Sequence, residues 1–446
     1  MSAQLSIFVR NKFKIMKNAI AVLVSLLSFA AFGQDFHRCY THEAMLEQEE
    51  RTSGYIGRVD DIFERAKHFE SQDREDVYTI PVVVHIVYNT EEENLADSVI
   101  FNQIESLNAD YRRLNEDAEN VRDTFNTIVG DTFIGFQLAS FDPSGNPTNG
   151  ITRTNTDVES FFSLAMSPAE GVKLTSEGGI DPWDQSRYLN IWVCDMSVFG
   201  TVFLLGYATP PDGLPHWPEG ATDGLADGVV VQYEAFGSNN PNPLIAGGAE
   251  IDVRGRTTTH EVGHYLGLRH IWGDGDCLEQ DGVDDTPNAE DQSGSCDLEK
   301  NTCLDDIADL GDLPDMVENY MDYSPETCQN SFTLGQVGIM RGVLEIERFD
   351  LVNDNPALGI NSDQLKLANF KLYPNPSTGT VQFSVTNSDE NGISRIEVLS
   401  ETGQFVQSMQ LSAGTSSTEI EGLPRGIYFV RLTNETGIRT EKLVIL

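Results

Sequence analysis

The residues best equipped for chemistry stand in the run Thr259–Asp274, THEVGHYLGLRHIWGD. His260 and His264 are four residues apart, one helical turn, so both imidazoles lie on one helix face. Two imidazoles so placed can direct ring nitrogens at one Zn²⁺ at about 2.0–2.1 Å. Glu261, beside the first of them, suits a base acting on metal-activated water better than a ligand. Gly267 stands three beyond His264, and glycine takes positive φ without Cβ strain, so the helix can end and the chain reverse there. That turn brings His270 round as a third ligand. A fourth position stays open, which marks a catalytic zinc rather than a structural one. Five fixed positions in HExxHxxGxxH make the pattern specific, where HExxH alone is not. The remaining histidines (His37, His42, His68, His85 and His216) have no such partners and read as structural or solvated.

Elements must hold those ligands in place. From Val77 the text VYTIPVVVHIVYN alternates and is β-branched, a strand buried against neighbours. Asp97–Leu114 has apolar residues near helical period. Phe133–Phe141, Tyr188–Asp195 and Gly228–Tyr233 read as further strands, and a helix starts at Arg256. The expected fold is therefore a mixed α/β unit whose sheet supports the motif helix. Gly273–Pro314 is acidic and loop-like; a loop that long in a domain is functional or pinned by bridges or ions. Thr333–Phe349 reads as a closing amphipathic helix. After Asn353–Asp363 the chain turns into short alternating strands (Val381–Val385, Arg395–Leu399, Gln404–Met409, Ile427–Leu432), the mark of a small all-β sandwich.

The chain has 446 residues, 70 acidic and 29 basic, for a formal charge of −41. That balance repels a phosphate backbone and an anionic membrane surface, which counts against nucleic-acid and peripheral-membrane functions. Lys12, Lys14 and Lys17 precede the apolar run Ala19–Phe32, 14 residues against the roughly 20 a spanning helix needs. Together with Gly33 this is the pattern of a secretory signal peptide over 1–33, and Met16 would open a complete signal by itself. No transmembrane segment is expected once it is removed. The polar segment 34–76, with helix-like text at Tyr55–Phe69, has too few apolar residues for a core of its own. Export permits disulfides among Cys39, Cys194, Cys277, Cys296, Cys303 and Cys328; four cluster within 277–328, and spacing alone allows three pairings of them. Cys194, in an apolar strand, reads as a buried, inert thiol. Asp281, Asp284, Asp285 and Thr286 crowd one loop with hard oxygen ligands suited to Ca²⁺.

HEVGHYLGLRH followed by NYMDYS at Asn319–Ser324 resembles the metzincin metalloproteases, and most closely their pappalysin branch, over roughly Val77–Phe349. The resemblance implies a metzincin-like domain over 77–352, with a mixed twisted sheet, an active-site helix and a loop-rich C-terminal subdomain. It implies one catalytic zinc, protein or peptide substrates, a methionine turn at Met321 beneath the ligands, and Tyr323 as donor to the developing oxyanion. It further implies bridges Cys277–Cys303 and Cys296–Cys328, and structural calcium at the segment Gly282–Pro287. Glu326 matches an acidic residue at the base of the S1′ pocket, pointing to Arg or Lys at P1′. Cys39 resembles a propeptide cysteine whose thiolate fills the open zinc position until activation, although Tyr40 departs from the small residue usual there. The rival reading is a cell-surface adhesin braced by metal without proteolytic activity; the intact Glu261 speaks against it.

The C-terminal unit, 367–446 after a linker at 353–366, resembles type IX secretion sorting domains through YPNPSTG at Tyr373–Gly379 and the terminal KLVIL. This implies the type IX machinery as partner and a secreted or surface location.

Overall fold

The computed structural model describes residues 37–69, 77–162, 170–211, 226–358 (apart from 306, 308, 309 and 354), 369–386, 394–400, 405–411, 417–434 and 437–446. The expected signal peptide and the linker from 359 on lie outside the described residues. The described chain opens with strand β1 (His37–Cys39) and helices α1 (Thr41–Arg51) and α2 (Tyr55–Lys67). There follow β2 (Tyr78–Tyr88), α3 (Asp97–Tyr111), β3 (Ile134–Leu138), β4 (Ile151–Asn155) and β5 (Leu189–Cys194). Short strands β6 (Ser197–Val198) and β7 (Thr201–Val202) lead into β8 (Leu204–Ala208), β9 (Val229–Gln232), β10 (Ile245–Ala246) and β11 (Ala249–Glu250). Helix α4 (Arg256–Tyr265) carries the histidines, and α5 (Leu334–Ile346) and α6 (Phe349–Val352) close the unit.

One sheet runs β1-β8-β9-β5-β2-β3, with β4 on the same edge of β2 beyond β3. Every pairing in it is parallel except β8 with β9. Residues 80–87 of β2 are all buried, as expected of a parallel sheet covered on both faces. His85 sits inside it between Thr152 Oγ1 (2.7 Å) and Asn190 Oδ1 (3.0 Å), and burial pushes it down to about 4, so it is a neutral structural histidine. The motif helix α4 is buried along its whole length and packs on β8, β9 and α3. The loop after it is tied by the two disulfides, Cys277–Cys303 and Cys296–Cys328, while Cys39 and Cys194 are free and buried. Bridges closing loops of 26 and 32 residues stabilise by about 3 kcal/mol each.

The C-terminal unit has β12 (Asn369–Tyr373), β13 (Val381–Thr386), β14 (Ser394–Ser400), β15 (Phe405–Leu411), β16 (Ser417–Ile420), β17 (Gly426–Asn434) and β18 (Gly437–Ile445). They form sheets β12-β13-β16 and β15-β14-β17-β18, whose inner faces share a core of Val381, Phe383, Ile396, Val398, Val430 and Leu443. That is a β-sandwich.

One expectation needs correcting. The linker cannot begin at 353, because Asn355 Nδ2 donates to Arg187 O (2.7 Å) and Ser140 N to Ala357 O (2.8 Å), leaving Ala357 buried. Backbone pairing therefore holds the chain on the α/β unit as far as Leu358. The segment around α2, too poor in apolar residues for its own core, enters the main one through Ile62, Phe63 and Ala66.

Candidate metal centre

Helix α4 is entered through Gly255, whose φ of +80° turns the chain into it, and is capped at its far end by Leu266. Gly267 follows with φ +92°, and its N–H donates to His264 O (2.9 Å). A side chain there would be strained in φ and would also meet Val343 Cγ2 at 2.9 Å. The reversal carries His270 back over the helix.

The three imidazoles converge. His264 Nε2 lies 3.0 Å from His260 Nε2 and 3.1 Å from His270 Nε2. The opposite nitrogens are all engaged: His260 Nδ1 with Tyr320 O (2.7 Å), His264 Nδ1 with Leu268 O (2.8 Å) and His270 Nδ1 with Asp274 Oδ1 (2.5 Å). Donation from each Nδ1 fixes the tautomer and leaves three bare Nε2 lone pairs facing one point. Burial pushes His260 far below the usual imidazole range and His264 down to about 3, so these rings are neutral, as ligands must be. Three inward lone pairs without a proton repel one another unless a cation lies between them, and imidazole suits Zn²⁺. The donor set fits zinc.

Met321, fully buried, lies directly beneath the helix: a Cβ on Gly263 would meet its sulfur at 2.4 Å. Glu261 is fully buried beside the ligands. Its Oε2 accepts from Cys39 Sγ (3.3 Å) and Thr41 Oγ1 (3.1 Å), while its Oε1 has no partner. Burial pushes this carboxyl up to about 8, against both hydrogen bonds. A Cβ on Gly206 of β8 would meet Glu261 Cγ at 2.8 Å, so glycine on the edge strand makes room for the carboxylate. The Cys39 sulfur and the three histidine nitrogens all lie within 4.8 Å of one another. Cys39 is held there because β1 pairs in parallel with β8, Cys39 opposite Gly206. Tyr323 Oη donates to Cys39 O (3.2 Å), with its ring 5.0 Å from that of His270.

Several functional contacts escaped the sequence reading. Asp274 holds His270 and also pairs with His42 Nδ1 (3.3 Å) on α1. Burial opposes its charge, but the His270 and His42 rings outweigh that and keep its carboxyl well below the usual range. Trp272 stacks on His270, centroids 4.3 Å apart and 6° from parallel, with Tyr323 edge-on to it at 4.7 Å. Asp110 on α3 accepts from Tyr320 Oη and Thr259 Oγ1, both at 2.8 Å, bracing the residues flanking His260 and Met321. The i,i+4 spacing of His270 and Asp274 was a usable signal; Asp110, 150 positions from His260, gave none.

Glu326 lies at the start of α4 as well as in the pocket. Its carboxylate accepts from the N–H groups of Arg254 (2.5 Å), Arg256 (3.1 Å) and Thr257 (3.0 Å) and from Thr257 Oγ1 (2.9 Å). It caps the N-terminus of α4, where orphan N–H groups and the helix dipole favour an anion. It still lines a pocket with Asp322, whose Oδ2 is buried without a partner, and burial pushes Asp322 up to about 6. Arg38 enters this pocket, donating to Ser324 O (2.6 Å) within the fields of Glu326 and Asp322.

The expected calcium ligands do not all converge. Asp281 Oδ2 and Asp285 Oδ1 are buried without partners, and burial pushes Asp281 up to about 8. Thr286 is buried nearby, 3.5 Å from Thr333 Oγ1. Asp284 instead points outward, its side chain 87% exposed, and pairs with Lys67 at 2.7 Å.

Comparison with known proteins agrees with this site. A family model described as "Pregnancy-associated plasma protein-A" matches residues 179–345, and one described as "Secretion system C-terminal sorting domain" matches 371–446. An extracellular metalloprotease of Arthroderma benhamiae is 30% identical over 280 residues, 62% of this chain and 75% of that protein. Mature mirolysin of Tannerella forsythia, solved with a cleaved peptide, is 40% identical over 64% of this chain and 98% of its own, with a TM-score of 0.53. Promirolysin from the same organism is 38% identical over 71% and 97%, with a TM-score of 0.58. No helix among the described residues is long and apolar enough to cross a membrane.

Proposed function

The chain belongs to the pappalysin-type metalloproteases and carries a secretion sorting domain; from that premise we propose that it is made as a latent precursor of an exported zinc endopeptidase. His260, His264 and His270 hold the metal, and Zn²⁺ there supplies the Lewis acidity that polarises a scissile carbonyl and acidifies water. Glu261 is the general base, its free Oε1 taking a proton from the attacking water and returning it to the departing amine. Tyr323 Oη, freed from Cys39 O, donates to the developing oxyanion. Met321 floors the ligands. One observation carries the reading: three imidazoles whose Nε2 atoms converge, that of His264 lying 3.0 and 3.1 Å from those of His260 and His270, beside a buried carboxylate with one oxygen unpartnered.

Segment 34–76 is the pro-segment, with Cys39 closing the metal centre. In support, promirolysin matches more of this chain than mature mirolysin does. The signal peptide occupies 1–33, the catalytic domain 77–358 and the sorting sandwich 367–446. A preference for Arg or Lys at P1′ is supported by the seat of Arg38 near Asp322 and Glu326, with Asp322 the carboxylate left free to bind a substrate cation. Asp281, Asp285 and Thr286 hold a structural Ca²⁺, supported by their two unpartnered buried oxygens.

The test is Glu261→Gln in the activated enzyme. Zinc stoichiometry should match wild type while casein cleavage disappears. Retained proteolysis, or loss of zinc together with activity, would overturn the assigned role.

A further inference from the structure

Helix α2 lies apart from the metal centre, and its fit to the catalytic domain is close. Its buried residues Tyr55, Val59, Ile62, Phe63 and Ala66 recur at helical spacing, and the helix packs against α5. Two glycines of the catalytic domain make room for it. A Cβ on Gly342, within α5, would lie 2.5 Å from Ala66 O, and the three atoms nearest that position all belong to Ala66. A Cβ on Gly282 would lie 2.8 Å from the Phe63 ring. Glycine inside a helix is less favourable than alanine by roughly 0.5–1 kcal/mol, and at Gly342 the gap admits only the backbone of α2.

The charges match as well. Arg269 pairs with Asp60 (2.8 Å) and lies 4.0 Å over the Phe63 ring. Glu347 takes Arg65 (2.5 Å), and Asp284 with Gly282 O takes Lys67 (both 2.7 Å). Such exposed pairs add little stability each, but their order fixes one register and direction for the helix.

We propose that this groove, lined by α5, Arg269 and Gly282, is a helix-docking exosite. It keeps the pro-segment bound after its chain is cut and lets the released segment inhibit in trans. The proposal rests on reading 34–76 as the pro-segment. Attachment is then two-point: β1 and α1 latch the cleft through Arg38, Cys39 and His42, and α2 anchors in the groove. Anchoring holds the latch at high effective concentration, so a weak latch competes with substrate. Scission before Val77 alone leaves the enzyme inhibited, and full activity requires loss of α2 by dilution or a second cut.

The test uses mature enzyme obtained by activating the full precursor, with synthetic peptides 37–53 (latch), 54–69 (anchor) and 37–69 (both). Binding of labelled 54–69 is read by anisotropy, and inhibition by cleavage of a short quenched peptide. The expected result is that 54–69 binds without inhibiting, and that 37–69 inhibits at least about tenfold more tightly than 37–53. Gly342→Ala in the enzyme, or Phe63→Ala in the peptide, should remove that advantage and leave inhibition by 37–53 as it was, each value normalised to its own enzyme's turnover. Equal inhibition by 37–53 and 37–69, or unchanged binding of 54–69 to the Gly342→Ala enzyme, overturns the exosite. Slowed cleavage of a protein substrate by 54–69, with the short peptide unaffected, would assign the groove to substrate and also overturn it. If 54–69 binds but 37–53 never inhibits, the exosite stands and the cysteine latch fails.

Discussion

Replacing Glu326 with Gln separates two roles that the sequence assigns to one residue. In the structure both carboxylate oxygens are engaged by the start of α4, through three backbone N–H groups and one hydroxyl. A glutamine has one acceptor oxygen, which can serve either the Thr257 pair or the Arg254 and Arg256 pair. Its NH₂ then faces the other donors, leaving about two buried groups unsatisfied at roughly 1–3 kcal/mol each. The charge that complements the helix dipole is lost too. A cost of about 2–6 kcal/mol follows, a large part of the roughly 5–15 kcal/mol that holds a typical domain. At about 2–4 °C per kcal/mol, Tm of the activated, zinc-loaded enzyme should fall by roughly 5–25 °C. The ratio of kcat/KM for Arg over Leu at P1′, measured below the transition, should change little. Asp322→Asn should do the reverse, lowering that ratio by about 10–100-fold, the worth of a charge-assisted hydrogen bond, while Tm holds. An unmoved Tm in Glu326→Gln, with the basic preference lost, would refute the capping assignment and restore Glu326 as the base of the pocket.

Asp274→Asn removes the charge behind His270 while keeping an acceptor; zinc affinity in chelator competition should weaken about 10–100-fold, and an unchanged affinity would show that the 2.5 Å contact does not tune the ligand. His42 is raised above its ordinary value of 6.5 by its hydrogen bond to Asp274, against partial burial. A raised folded-state value means that its contribution to the latch is complete below about 6.5 and is lost as pH rises through the higher value. Activation of the precursor by a fixed amount of added protease should therefore quicken across that window, and His42→Gln should flatten the profile; an unaltered profile in the variant would sink the link. With a formal charge of −41, the chain should draw cationic peptides, so their kcat/KM should fall several-fold from about 50 to 500 mM salt while that of a neutral peptide stays level. Parallel salt curves for the two would show that steering is absent.

How far the sequence reached depended on the distance over which each contact is encoded. His260, Glu261, His264, Gly267 and His270 lie within eleven residues, so helical period and one positive-φ glycine determine their relative placement, and the convergence was readable from spacing. Strand β2 was equally legible, because a strand covered on both faces needs an unbroken apolar run. The C-terminal strands were visible as alternation and turns, though β12, β16 and β18 were not singled out. The capping contacts of Glu326 were not legible, because proximity to the methionine turn says nothing of what its oxygens meet; they meet a helix start some seventy positions earlier. Asp284 looked interchangeable with Asp281 and Asp285, yet it points outward and pairs with Lys67, more than two hundred residues away.

The same division explains why the motif alone cannot specify the enzyme. Three histidines on a helix and its turn would gather metal in many folds. Here their second nitrogens are held by Tyr320 O, Leu268 O and Asp274, and the helix that carries two of them is capped by Glu326. Asp110 reaches from α3 to Tyr320 and Thr259, so the flanks of His260 and of Met321 are fixed by one carboxylate outside the motif. Apart from Leu268 and Asp274, each four residues beyond the histidine it holds, these outer contacts come from elements spread over more than two hundred positions and are not forced by the spacing of the ligands. Sequence spacing supplied the chemistry, whereas the basicity of the ligands and the stiffness of their frame arise only once the sheet has brought α3, α4 and the methionine turn together.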